Sequence, residues 1–297
     1  MRWPPYPNHD AVLTLDLPFA CSPCLLAASG RTPEWLLARL AAILCLEPTV
    51  GETAAETPVV ILSDCPPGDG WAPWEGSVRF HGQVFWQPDA CRLYFQLENF
   101  SMNMDDIWRV LIRTFQFSVI NRILHYPTVM LHGALLDQDG QGVVLFGPCG
   151  MGKSTSCRRF ASQGGKVLGD DKLFVTFQDD GSCLAQPCPT WSRDILSDDI
   201  ATEFATTLPL KALLFLNRGD DDNIAPIQPA AYHLHLLQSN YNFFRRPADA
   251  FPPAIVNQVT QACLPRLESL CQKFGYYELQ GDLQGHIRRH LQEFLAR

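Results

Sequence analysis

Residues 11–20 (AVLTLDLPFA) alternate apolar and polar positions with the two-residue period of a strand. Over 33–46 (PEWLLARLAAILCL) the apolar positions recur at helical spacing instead. There Thr32 reads as the N-cap, Pro33 as the first helical position and Glu34 as a first-turn acid. VVIL at 59–62 reads as a short buried strand, and CPPGDGWAPWEG (65–76) is turn and loop chemistry. Two alternating runs, SVRFHGQVFW (77–86) and CRLYFQL (91–97), are joined by Gln-Pro-Asp-Ala and predict a hairpin. These elements make a small α+β unit.

A long helix follows over about 105–125. Asp105 and Asp106 sit at its positive end, and Ile107, Leu111, Phe115, Val119 and Ile123 mark one apolar face. Tyr126-Pro127 ends it, because a residue before proline avoids the helical region. Beyond it the pattern predicts strands at 129–137 and 143–146, a helix at 152–163, strands at 166–171 and 173–177, and another at 211–216. Residues 254–274 and 283–296 repeat with helical period. Strands therefore crowd around one central helix, whereas a doubly wound protein alternates strand and helix throughout. The chain divides into an N-terminal α+β domain (1–104) and a larger α/β domain (105–297) with a mixed sheet and a helical C-terminal part.

The 297 residues are 46% hydrophobic and 18% charged, which is enough apolar material for a real core. The formal net charge of −8 disfavours nucleic acid as a partner, since general affinity for phosphate backbones comes from Lys and Arg. No apolar run is long enough for a membrane span, and MRWPPYPNHD is not followed by a signal-peptide core. Eleven scattered cysteines without such a signal fit a reducing, cytoplasmic setting. Cys21 and Cys24 form the one close pair, in CSPC. They have no second pair at zinc spacing and read as a turn around Pro23.

One motif carries defined chemistry. VVLFGPCGMGKST contains G-x-x-x-x-G-K-[ST] in full: Gly147, Pro148, Cys149, Gly150, Met151, Gly152, Lys153 and Ser154, with Thr155 next. A strand enters it and an amphipathic helix leaves it, as a P-loop requires. Glycines let the backbone wrap closely enough for successive N–H groups to face phosphate oxygens, and the helix N-terminus adds partial positive charge there. Lys153 is placed to reach the β- and γ-phosphates of ATP and the Ser154 hydroxyl to join a Mg²⁺ shell. Gly169-Asp170-Asp171 ends an apolar strand, with Asp170 17 residues beyond Lys153. Of two such carboxylates, one can hold the ion and the other can take a proton from an attacking hydroxyl. QDDG (178–181) and GDDD (219–222) read as solvated turns. His132, 21 residues ahead of Lys153, is by itself a core histidine on an apolar strand.

The run LHGALL, turn, VVLF, GPCGMGKST, helix, VLGDD resembles the catalytic core of the HPr kinase/phosphorylase family, whose P-loop core is shared with phosphoenolpyruvate carboxykinase. The resemblance covers about 127–220. It implies an HPr kinase-like P-loop fold in which Asp170 activates the substrate hydroxyl, His132 sits beside Asp170 and orients it, and Asp171 supports Mg²⁺. Lys153 and Ser154 keep their P-loop roles. The phosphorylase-linked signature is absent. Its nearest counterpart, Pro189–Asp194, keeps Arg193 but has Trp191 where a metal-binding acid is expected, which makes phosphorolysis doubtful. The layout is similar to stand-alone relatives in modified-peptide cassettes, of the SynChlorMet cassette protein ScmC type. That likeness implies a serine or similar residue of a ribosomally made precursor peptide as acceptor, docked on the N-terminal unit.

Two other readings stay open: a nucleotide-dependent switch or assembly ATPase without an acceptor, and a small-molecule kinase on the same core. No Asn-Lys-x-Asp is present to read guanine. Arg193, Arg245 and Arg246 are candidates to contact phosphate or an acidic substrate, with surface ion pairs as the plain alternative. Arg288 and Arg289 read as a solvated helix face.

Overall fold

In the computed structural model, two mixed sheets and six α-helices are built from the described residues: 12–19, 24–44, 46–51, 59–74, 82–87, 92–98, 100, 103–188, 204–219, 222–245, 251–281 and 285–297. The first sheet has the order β3-β1-β2-β4-β7-β6-β5. Its strands are β1 (Val12–Leu17), β2 (Cys24–Ser29), β3 (Thr49–Gly51), β4 (Val60–Ser63), β5 (Ala72–Pro73), β6 (Gln83–Gln87) and β7 (Arg92–Gln96). The expected hairpin is β6–β7, antiparallel with Phe85 opposite Tyr94. Part of its first predicted run, 77–81, lies outside the described residues. The loop predicted at 65–76 contributes the two-residue strand β5.

Helix α1 (Arg31–Ile43) starts two residues before the predicted position. Its N-cap is Gly30 rather than Thr32, so Pro33 lies third in the helix. The buried Glu34 carboxylate reaches back and accepts the Gly30 N–H at 3.1 Å, fixing the earlier start. Helix α2 (Met104–His125) is capped by Asn103, whose side chain accepts the Asp106 N–H at 2.9 Å, and it stops at Tyr126 before Pro127. All five residues of the predicted apolar face are buried, and so are Val110, Phe117 and Ile120. A helix apolar on more than one side belongs between layers. Its core is continuous with residues of both sheets.

That shared core has an aromatic centre. Phe19, just after β1, meets Phe174 edge-on at 5.3 Å and Phe204 at 5.5 Å, while Phe115 of α2 lies 5.7 Å from Phe204. Because Phe174 is fully buried where these layers meet, Phe174→Ala is expected to cost about 3–5 kcal/mol. Chemical unfolding followed by tryptophan fluorescence measures this; a change below about 1 kcal/mol would mean that the sheets do not share this core.

The second sheet comprises β8 (Thr128–Gln138), β9 (Gln141–Phe146), β10 (Lys166–Gly169), β11 (Lys172–Phe177), β12 (Cys183–Cys188), β13 (Leu208–Arg218), β14 (Asn223–Pro226) and β15 (Tyr277–Gly281). Its order is β10-β8-β11-β12-β13-β15-β14, with β9 bridging β8 and β13. Strand β8 organises it. On one edge, residues 133–138 pair with β9. On the other, 128–132 pair with β11 and 135–137 with β10. Helices α3 (Lys153–Ser162) and α6 (Ile287–Leu295) cover one face through Phe160, Ile287 and Leu291. Helices α4 (Pro229–Arg245) and α5 (Pro253–Phe274) join α2 in the larger core on the other side.

Besides β5, six elements lie where the pattern predicts none: β2, β3, β12, β14, β15 and α4. Strand β12 contains Pro187 and a buried Gln186, both poor strand signals. Gln186 is accommodated because its amide donates to the carbonyls of Pro18 and Phe204. Strands β14 and β15 are short and pair only through long-range register. Helix α4 buries Ser239 and Asn240 beside Tyr232 and Leu236, so its inner face is not marked by an apolar period. Among the described residues, no helix is long and apolar enough to cross a membrane.

Candidate functional site

The P-loop connects β9 to α3, as its flanks require. Gly150 and Gly152 have φ of 81° and 105°, the left-handed region, and a Cβ at either would meet nothing within 4 Å. Both face open space, so their requirement is conformational. Lys153 opens α3 and is buried. Its Nζ donates to the carbonyls of Gly147 at 2.7 Å and Pro148 at 3.1 Å. Burial holds the ammonium below its ordinary pKa, against the opposing pull of Cys149, Asp171 and Cys157. Ser154 and Thr155 follow in the first turn, half-buried.

Register explains how distant motifs meet here. Gly133 of β8 lies opposite Phe146, the residue that enters the P-loop. On the other edge of β8, Gly169 lies opposite Leu135 and Lys172 opposite His132. Strands β10 and β11 thus act as one antiparallel partner, shifted by an irregularity between Val167 and Gly169. Asp170 and Asp171 fill the gap between them, and the Gly133 N–H donates to the Asp171 carbonyl at 3.0 Å. His132-Gly133 is consequently flanked by the phosphate loop on one side and the double aspartate on the other. Gly133 permits the close approach: a Cβ there would sit 2.8 Å from the Leu145 carbonyl oxygen.

His132 was expected beside Asp170. Its Nδ1 instead lies 3.1 Å from Oδ1 of Asp171, the residue expected to support the metal. The second carboxylate oxygen of Asp171 is 3.5 Å from Lys172 Nζ. Burial alone would raise the Asp171 carboxyl. The His132 hydrogen bond and the charges of Lys172 and His132 outweigh it and hold the group below the usual carboxylate range. The stability this adds is present above about pH 4 and is lost as pH falls through the depressed folded value. The other imidazole nitrogen, Nε2, faces Cys149 Sγ across 3.7 Å. The His132 carbonyl is held from behind by the Ser239 hydroxyl at 2.9 Å, and that of Met130 by Asn240 at 2.8 Å.

Strand β13 supplies residues that no motif marks. It runs parallel to β9 with Phe215 opposite Phe146, so Arg218 arrives level with the P-loop. Its guanidinium donates to the Gly150 carbonyl at 2.9 Å. Together with Met151, Thr155, Arg159 and Asn217 it lines a cleft of about 730 Å³ that opens from the loop. The only local signal was an Arg-Gly after an apolar strand; the parallel pairing that gives it meaning is not local.

Other expectations need correction. GDDD has the composition of a solvated turn, yet the Asp222 carboxylate is buried and meets Arg159 at 2.6 Å. Desolvated, it is held by a charged partner that also donates to the Gly285 carbonyl. Arg289 is exposed and pairs with Glu293, as expected of a solvated face. Arg288 is not on that face: it ties α6 to the Gln163 carbonyl at the end of α3 and to Asp139. Trp191, Arg193, Arg246 and Cys21 lie outside the described residues, as does the side chain of Arg245 at the end of α4. Cys24 is buried in β2.

Mg²⁺ fits the donor chemistry present, a first-turn hydroxyl at Ser154 and carboxylates at Asp170 and Asp171, all hard oxygens. Among the described residues, no group of three or more His, Cys, Asp or Glu side chains could hold an ion alone. Such an ion would complete its shell with water and nucleotide phosphates, which is the usual habit of magnesium.

The C-terminal two thirds of the chain is similar to known proteins. The family model described as SynChlorMet cassette protein ScmC matches residues 96–296, more than half of the chain. The HPr kinase/phosphorylase of a Thermoanaerobacter species is 34% identical over 76 residues, 23% of this chain and 25% of that protein. That of Caldanaerobacter subterraneus subsp. tengcongensis is 37% identical over 75 residues, with the same coverage. The chain thus spans about a quarter of the length of these curated relatives. Among solved structures, the HPr(Ser) kinase/phosphatase from Coxiella burnetii matches 34% of this chain and 71% of its own, at 19% identity and a TM-score of 0.25. The chain belongs to the SynChlorMet cassette protein ScmC family and is an HPr kinase-like protein of the ScmC type.

Proposed function

We propose that this chain is an ATP- and Mg²⁺-dependent kinase that moves the γ-phosphoryl group to a serine or threonine hydroxyl of a peptide or protein. A ribosomally made precursor peptide is the acceptor that best suits a cassette family. The observation carrying this reading is the register that sets His132 between the phosphate loop and Asp170–Asp171. The loop alone would fit a motor or a transporter equally well. A site that also brings a double aspartate to it has the means to deprotonate an acceptor.

Each role follows from position. The P-loop amides and Lys153 hold the β- and γ-phosphates, and Arg218 closes the loop from the β13 side. Magnesium, held by Ser154 and an aspartate, would neutralise charge on the transferring group. Asp171 is engaged at both oxygens by His132 and Lys172, which makes it a poor proton acceptor. We assign the base to Asp170, the position to which the family resemblance gives the catalytic carboxylate, with Asp171 and His132 orienting the turn that carries it. The N-terminal unit (1–104) would dock the peptide by adding a strand beside the edge strand β3 or β5, leaving catalysis to 105–297. Arg193, Arg245 and Arg246 remain candidates for contacts to the acceptor or phosphate. A cytoplasmic setting suits the cysteine-rich chain.

Incubation with γ-labelled ATP, Mg²⁺ and peptides encoded beside the gene tests this directly. Label on a peptide hydroxyl, stable to acid as a phosphoester, is the expected result. Release of free phosphate alone would favour the switch or assembly ATPase. Label on a small metabolite from a cell extract would favour the small-molecule kinase.

A further inference from the structure

The acid–base groups of the proposed transfer lie on one side of β9, the β8 edge, which carries His132 and faces the double aspartate. On the other edge the strands run parallel. Strand β13 lies beside β9 with Phe215 opposite Phe146, and β15 lies beside β13 with Gly281 opposite Arg218. The carboxyl ends of all three strands therefore come level beside the phosphate loop. Crevices outside such ends are where open α/β sheets bind their ligands. The cleft of about 730 Å³ lies here, a size suited to a small organic molecule. One wall is a single face at the start of α3, formed by Gly152, Thr155, Ser156 and Arg159 at spacings of three and four. That wall is fixed, because the Arg159 guanidinium is held by Asp222 at 2.6 Å and by the Gly285 carbonyl at 2.8 Å. The end of β13 makes the facing wall, and Met151 and Leu216 give the space apolar surface. Gly281 keeps it open. A Cβ there would meet Leu216 Cδ1 at 3.6 Å and Arg159 Nη1 at 4.0 Å, both ordinary contacts, so a larger side chain extends among the groups that line the cleft.

We propose that this cleft holds the nucleoside of a nucleoside triphosphate and that Gly281 sets the room available to it. The direction of the ligand across the loop is then fixed: base and ribose on the β13 side, γ-phosphate toward Asp170 on the β8 side. This rests on the nucleotide-binding part of the function proposed above and is independent of the acceptor. The base lies against Met151 and Leu216, and the ribose meets Thr155. Arg218 donates to the Gly150 carbonyl at 2.9 Å where loop and cleft join, which sets its cation beside the α-phosphate. Reversed on the loop, the ligand would carry its γ-phosphate into the cleft, away from the aspartates.

Calorimetric titration of the full chain with MgATP and with magnesium tripolyphosphate separates the nucleoside from the phosphates. Wild type is expected to bind ATP at least about tenfold more tightly than tripolyphosphate. Gly281→Phe fills the cleft and should remove most of that ratio, weakening ATP at least about tenfold while tripolyphosphate changes less than about twofold. Equal affinities in the wild type would overturn the subsite. So would a folded Gly281→Phe that keeps the wild-type ratio or weakens both ligands alike. Should that variant fail to fold, wild type photolabelled with an azido-purine analogue of ATP decides the matter by peptide mass. Label is expected on residues 150–159 or 216–219, and label confined to β8, β10 or β11 would overturn the placement. The two failures are distinct. ATP bound at the expected ratio without transfer to a peptide counts against the kinase and leaves the subsite standing, whereas transfer by a wild type that binds both ligands equally counts against the subsite alone.

Discussion

Asp170→Asn is expected to lower phosphoryl transfer by about a thousandfold while changing nucleotide affinity less than about threefold. The amide is nearly isosteric with the carboxylate but cannot accept the proton of an attacking hydroxyl. Asp170 occupies the turn between β10 and β11, opposite the His132-Gly133 segment, so its loss leaves the phosphate loop and Lys153 in place. The cost therefore falls on kcat, and KM for ATP barely moves. Single-turnover transfer together with equilibrium binding of a fluorescent ATP analogue separates the two. Asp171→Asn is the informative neighbour. It removes the carboxylate that holds His132 Nδ1, so it should disturb orientation, with a smaller loss of rate and a measurable loss of stability near neutral pH. Should Asp171→Asn abolish transfer while Asp170→Asn spares it, the two aspartates have been given each other's roles.

That the site could be approached from sequence at all has a topological cause. The three segments that matter, His132-Gly133, Gly147–Thr155 and Gly169–Asp171, lie on consecutive elements, and consecutive strands pair on the two edges of β8. Local order in the chain is therefore local order in space. The limit of sequence is visible one side chain deeper. Alternation on strands places Asp170 and Asp171 near His132 without saying which touches it, and an irregularity between Val167 and Gly169 decides the matter. A one-residue shift exchanges the faces of neighbouring side chains. Arg218 and Asp222 were illegible for a different reason. Both depend on β13 running parallel to β9, a pairing across about 70 residues of chain, which neither the Arg-Gly nor the acidic GDDD run reveals. The N-terminal sheet shows the same division. Its helix and hairpin were readable from period and turn chemistry, whereas the parallel β2-β4-β7 order, which joins strands far apart, was not.

Lys153→Met carries the other large expected effect: nucleotide affinity about tenfold weaker and transfer down by a further factor of about a hundred to a thousand. Methionine keeps much of the length of the stem and removes the charge. Lys153 Nζ rests on the carbonyls of Gly147 and Pro148, inside the curve of the loop. An incoming β- or γ-phosphate offers the ammonium a charged acceptor in place of two neutral ones, so the group moves from tying the loop to binding its ligand. Burial already holds this ammonium below its ordinary pKa, which means that its charge costs the fold something at neutral pH. Removing it relieves that cost while forfeiting two hydrogen bonds, and the net change in stability should stay within about 1 kcal/mol. A variant that is folded by circular dichroism, with an unfolding midpoint near wild type and little transfer, is the signature of a residue that serves the phosphates. Wild-type transfer by Lys153→Met would place the γ-phosphate elsewhere, and with it the roles assigned to Asp170 and Ser154.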